Sequence, residues 1–183
     1  MKGKPENLTV ITNESEKDIL DQIEGAAAKD KFVIIDLEGT ASRLMSYAIS
    51  QSDLVIIPAK EQHQDAYAAL DVIREIEQDM RAMRRTIPYA VLFTQTKVVA
   101  KSKTNRHIAS QFHVNDQIDT FKTEIVERDA FAALFALGGT VRTIKSKHVN
   151  NLASAIENIE AFTYEVVSKL RAQQTMSKAK EVA

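Results

Sequence analysis

Residues 32–42 read Phe-Val-Ile-Ile-Asp-Leu-Glu-Gly-Thr-Ala-Ser, and no other stretch constrains the fold as tightly. Four apolar residues, Phe32, Val33, Ile34 and Ile35, run straight into Asp36, and Gly39 follows. An uninterrupted apolar run of this length fits a strand buried on both faces, as in a parallel sheet. Its carboxylate then emerges at the carboxyl end of the strand, where open α/β sheets bind ligands. A carboxylate there can hold Mg²⁺ directly or through water, and a glycine lets the next loop approach a phosphate closely. The plainer reading is a buried strand that ends in an ordinary Asp-to-Gly turn. The stretch alone does not choose between them.

A chain of 183 residues is most simply one domain, 1–183, with enough length for a substantial core. The net charge of −1 excludes a globally basic nucleic-acid binder and leaves local patches open. With no cysteine, disulfides, thiolate catalysis and thiolate metal sites are excluded. No signal peptide and no run of eighteen apolar residues is present, so the expected location is the cytoplasm, with no membrane partner. His63, His107, His113 and His148 lack metal-ligand spacing and read as surface or helix-end residues.

Strands and helices alternate along the chain. After a polar start, Leu8–Thr12 reads as a strand, and Asn13 or Ser15 as a cap for a helix carrying Ile19, Leu20, Ile23 and Ala27. The Asp36 strand comes next, then a helix capped by Ser42, then a strand over 54–58. A stripe from Ala66 to Met83 predicts a helix over about 62–85, the stripe facing the core. A strand at 89–94, a helix at 105–112 and a strand at 121–126 follow. Arg128–Leu137 is helical up to Gly138-Gly139, the last helix covers 152–170, and 172–183 reads as a loose tail. Repeated strand-helix-strand units argue for a parallel sheet with covering helices.

The order FVIIDLEGTAS, SDLVIIPAKEQHQDAYAALDVI, YAVLFTQT, IVERDAFAALFALGGTV resembles the ParA/MinD family of P-loop ATPases over roughly residues 8–170. The likeness is to its VirC-type branch, which acts in plasmid partition and conjugative DNA transfer. The resemblance implies an α/β fold with a mostly parallel sheet flanked by helices. It also implies ATP hydrolysis with ATP and Mg²⁺, an ATP-sandwich homodimer, DNA binding without sequence preference, and a partition or DNA-transfer partner protein. By position, Asp36 becomes the catalytic and metal residue, with Glu38 and Gly39 in the switch loop. Thr94, Gln95, Glu127 and Arg128 fall where the family places nucleotide-pocket residues.

One departure is large. The family opens with a KGGxGKT loop whose backbone N–H groups and lysines bind phosphates. None of the five glycines here stands in a Gly-Lys-Ser/Thr setting. The chain therefore reads as the carboxyl-terminal two-thirds of the fold without its first βαβ portion. Taken alone it is expected to bind no nucleotide tightly, and the lost strand would leave an unpaired apolar edge beside Asp36.

Three basic runs, Arg81–Arg84–Arg85, Lys97 to Arg106, and Arg142, Lys145, Lys147 with His148, allow a DNA-facing surface. The last run, beyond the glycine pair, is the expected DNA contact, although each run also reads as a solvated face. Two other readings stand beside the ATPase. A phospho-acceptor receiver would use Asp36 and Lys97, but it lacks the acidic pair after the first strand and has Ala59 where a hydroxyl belongs. A non-catalytic adaptor on the ATPase scaffold stays open.

Overall fold

In the computed structural model the described residues are 4–12, 15–37, 42–97, 110–112 and 114–181. They form β1 Val55–Ala59, β2 Tyr89–Thr96 and β3 Ile125–Val126. The helices are α1 Ile19–Ala27, α2 Arg43–Gln51, α3 His63–Met83, α4 Asp129–Leu137 and α5 Leu152–Glu181. The three strands make one parallel sheet in the order β1-β2-β3, so β2 is central. Ala90, Val91, Leu92 and Phe93 are at most 6% exposed, as a strand covered on both faces requires.

The chain divides into two compact units interleaved in sequence. One comprises residues 1–9, 56–69 and 90–183, the other 10–55 and 70–89. In the first unit, α4 and α5 close around Ala130, Ile144, Val149 and Ala155, with Phe131, Leu134 and Leu152 packed against them. The apolar run of α4 ends where Gly138 and Gly139 take positive φ, which glycine adopts without a Cβ penalty. In the second unit, α1 and α2 bury Ile19, Ile23 and Ala48, joined by Leu20, Ile35, Leu37 and Leu44. Ser42 caps α2 as expected, its hydroxyl accepting from the Met45 N–H at 3.2 Å.

The free edge of β3 is closed by side chains instead of by a strand. Val91 pairs with the 119–121 segment through the Val91 N–H to Asp119 carbonyl and Phe121 N–H to Val91 carbonyl bonds, both 2.9 Å. The chain then leaves the ladder and rejoins it at Ile125, opposite Thr94. Along that gap Glu165 of α5 accepts from the N–H groups of Lys122 at 2.7 Å and Thr123 at 2.9 Å. Asn158 accepts from Val126 N–H and donates to the Glu124 carbonyl, at 2.9 and 2.7 Å. Lys169 reaches Asp119 at 2.6 Å and lies 5.2 Å from the ring centre of Phe121. These bonds satisfy backbone groups that an open edge would leave unpaired.

Several expectations from sequence are corrected. Neither 8–12 nor 32–37 is a strand, and Phe32 and Ile34 are 66% and 90% exposed. Ile35 and Leu37 alone turn inward, so the run has one packed face where two were expected. The predicted strand over 121–126 is only Ile125–Val126, with an isolated bridge at Thr120. Helix α1 starts after Asp18, and the Ser15 hydroxyl accepts from the Lys17 N–H at 3.2 Å, ahead of the helix. Helix α5 continues through Glu181, well past the expected end at residue 170. Most of the predicted 105–112 helix lies outside the described residues; 110–112 is helical.

Candidate functional site

Parallel sheets gather function at the carboxyl ends of their strands. Here those ends carry Thr94, Gln95 and Thr96 on β2, and Glu127 and Arg128 after β3. The register fixes their meeting: Thr94 faces Ile125 while Thr96 faces Val126, so one residue of β2 is extra. That residue is Gln95, whose φ of 53° places it in the left-handed region. The β-bulge turns the exposed Gln95 out of the ladder and returns Thr96 to the interior. Non-glycine residues held this way cost of order 1 kcal/mol or more, and they cluster at ligand sites.

Around the bulge the polar groups fall into two sets. The Thr94 hydroxyl donates to the Ala59 carbonyl that ends β1, at 3.5 Å, and the Glu127 N–H donates to the Thr96 carbonyl at 2.9 Å. The Thr96 hydroxyl and the Arg128 Nε, by contrast, are buried with no hydrogen-bond partner among the described residues. Thr96 is 2% exposed. Arg128 is the residue before α4, extended at φ −142°, with no side-chain cap bond. Leaving a buried polar group unbonded costs about 1–3 kcal/mol, so such groups are normally met by water or by a polar ligand. Glu127 itself is exposed.

The four residues expected at a nucleotide pocket, Thr94, Gln95, Glu127 and Arg128, are therefore brought together within one unit. Thr96 was missed. Its signal was the Thr-Gln-Thr triplet directly after the apolar Ala90–Phe93 run. Glu61, two residues beyond β1 and only 4% exposed, was also missed; nothing in its sequence setting marks it as buried.

Asp36 lies in the second unit and is exposed between the inward-facing Ile35 and Leu37. Glu38 and Gly39 lie outside the described residues. Among the described residues no group of three His, Asp or Glu side chains forms a metal site. One carboxylate does not make a Mg²⁺ cage, since that ion is normally held by one or two carboxylates together with phosphates. The described residues thus bring polar groups together at the strand ends without a set of carboxylates for a metal.

In the third basic run, Arg142 forms an ion pair with Glu160 at 2.5 Å, while Lys145 and Lys147 are exposed beside the single 3₁₀ turn Ser146–His148. Both partners of the pair are more than half exposed, so it contributes little. In the second run, Lys101, Lys103 and Arg106 lie outside the described residues. Among the described residues no helix is long and apolar enough to cross a membrane.

The family model described as VirC1 protein matches residues 6–173. The chain belongs to the VirC1 family. It is 37% identical over 166 residues to Protein ParA of Rhizobium radiobacter, a match covering 91% of this chain and 74% of that protein. It is also similar in fold to apo McdA of Cyanthece, with a TM-score of 0.61 at 18% identity. That likeness covers 80% of this chain, which spans 59% of the McdA chain. The VirC1-family chain is thus a ParA/MinD-type protein of the VirC-like branch, with its parallel sheet flanked by helices.

Proposed function

We propose that this VirC1-family chain serves plasmid partition or conjugative DNA transfer, as part of an ATP-dependent cycle of dimerisation and DNA binding. The observation that carries the reading is the bulge at Gln95, flanked by the unbonded Thr96 hydroxyl and Arg128 Nε. A nucleotide base and ribose offer the donors and acceptors that these two groups lack. The chain supplies that polar end of a nucleotide site. No phosphate loop stands in this sequence, so residues 1–183 alone bind MgATP weakly and do not hydrolyse it measurably.

Three measurements test the reading. Titration with millimolar MgATP should shift the amide resonances of Gln95, Thr96 and Arg128, and Thr96→Val should abolish the shifts. Unmoved resonances would remove the pocket and favour the adaptor, the reading that the missing Gly-Lys-Ser/Thr sequence supports. Calorimetry showing micromolar MgATP affinity would overturn the claim that phosphate binding needs a loop this chain does not carry. For DNA, the exposed Lys145 and Lys147 with Arg142 predict weak, salt-sensitive binding to random duplex. Equal anisotropy for the wild type and the triple Ala variant at these positions would exclude that surface.

A further inference from the structure

Arg81 in the last turn of α3 and Arg84 and Arg85 just beyond its end, all exposed, surround an open cleft of about 370 Å³ completed by Glu77, Met80 and Thr86. The helix ends in a Schellman motif: the Arg85 N–H bonds the Met80 carbonyl at 3.2 Å and the Arg84 N–H the Arg81 carbonyl at 3.4 Å. The residue forced into the left-handed conformation by this motif is Arg84, at φ 52°. Glycine adopts that conformation freely and arginine does not. The position therefore keeps a charged side chain at the expense of backbone ease.

The other groups in the cleft are already committed. The Arg85 guanidinium donates to the Ser50 carbonyl, and to the Ser52 carbonyl at 3.4 Å, at the carboxyl end of α2. Glu77, the one carboxylate lining the cleft, accepts from the Tyr89 hydroxyl at 3.1 Å. The Met80 sulfur accepts from the Ile87 N–H at 3.0 Å. Among the described residues, Arg81 and Arg84 form no ion pair.

We propose that this cleft is a binding site for the phosphates of a polyanion, with Arg81 and Arg84 as the contacting groups. Both side chains line the same cleft, so the two guanidinium groups can serve one phosphate or two successive ones. Arg85 adds a third positive charge, held in place by the α2 carbonyls. The negative end of the α3 dipole amounts to about half a charge, and the capping bonds already engage two of its carbonyls. The cleft is open, which suits an extended backbone better than an enclosed small molecule. An acidic peptide would need apolar anchoring, and the single apolar side chain lining the cleft is Met80. This surface is separate from residues 142–147, and it rests on the DNA part of the proposed function only in the choice of duplex as probe.

The test is fluorescence anisotropy of the full chain with a short random duplex at several salt concentrations, comparing wild type, Arg84→Gly, and Arg81→Gln/Arg84→Gly. The double variant should bind at least about tenfold more weakly at low salt. Its slope of log affinity against log salt should be shallower by about 2, near one unit per lost phosphate contact. Arg84→Gly should melt no lower than wild type, because glycine suits the left-handed position, and this separates lost binding from lost folding. Unchanged duplex affinity in the double variant, no duplex binding by wild type, or a markedly lower melting temperature for Arg84→Gly would overturn the proposal. Competition by poly-glutamate as strong as that by unlabelled duplex would overturn the phosphate assignment. Inorganic phosphate that raises the wild-type melting temperature, with no duplex binding, would reduce the site to a free-anion site and overturn the polyanion.

Discussion

Glu165 offers the sharpest test of how this fold is held together. Its carboxylate accepts two backbone N–H groups, from Lys122 and Thr123, that no strand reaches. A hydrogen bond to a charged group contributes about 1.5–3 kcal/mol when well buried. Glu165 is only half-buried, and water can replace part of what is lost, so about 1–2 kcal/mol is expected for Glu165→Gln, which keeps an acceptor but drops the charge. For a chain of this length that corresponds to a fall in melting temperature of roughly 2–8 °C. Burial alone would raise the carboxyl pKa. The bonds from Lys122 and Thr123, with Lys169 nearby, outweigh it and hold the group below the usual glutamate range.

A folded-state pKa below the unfolded one means that the contribution is present above the ordinary glutamate value and is lost as pH falls through the folded value. The gap between wild type and Glu165→Gln should therefore be full at pH 6–7 and close progressively below about pH 4.5. Thermal melts of both proteins across that range read it directly. A gap that stays constant with pH, or a variant as stable as wild type at pH 7, would refute the edge-closing role.

Three further outcomes follow from burial. Ile34→Lys should shift the melting temperature by no more than about 2 °C, because the side chain is 90% exposed, whereas Phe93→Asp, at 0% exposure, should prevent folding, as circular dichroism would show. Asp36→Ala should leave thermal stability intact, since its exposed carboxylate meets no described partner; a clear loss would make Asp36 structural. Burial, then the bond and charge of Glu77, raise the Tyr89 phenol to about 12, so ultraviolet titration should show a late phase that Tyr89→Phe removes. The stability it contributes is present below about pH 10 and lost as pH rises towards 12, and Tyr89→Phe should remove that alkaline loss.

Much of the architecture was legible because it is written in local signals. The β-branched and aromatic runs placed β1 and β2, the stripe from Ala66 to Met83 placed α3, and Ser42 and Gly138-Gly139 marked helix ends through their capping chemistry. The order of motifs pointed to the ParA/MinD family and so to Thr94, Gln95, Glu127 and Arg128. These signals need only a residue and its neighbours within a few positions.

What the sequence could not decide depends on partners distant along the chain. Phe32–Ile35 and Ala90–Phe93 have much the same apolar character, yet the second is buried and the first is largely exposed. A run becomes a central strand only when backbone groups on both sides find mates, and Phe32–Ile35 has none among the described residues. The Gln95 bulge arises from the register with β3, which no local pattern encodes. The side-chain closure of the β3 edge by Asn158 and Glu165 spans more than thirty residues, and the seating of Arg85 on the α2 carbonyls spans 35 and 33. Composition and periodicity determined which elements form, and the order of motifs carried the resemblance to the family. Tertiary pairing decided which apolar run is buried and which polar groups at the strand ends are left without a partner, because burial and hydrogen bonding are settled between segments and not within them.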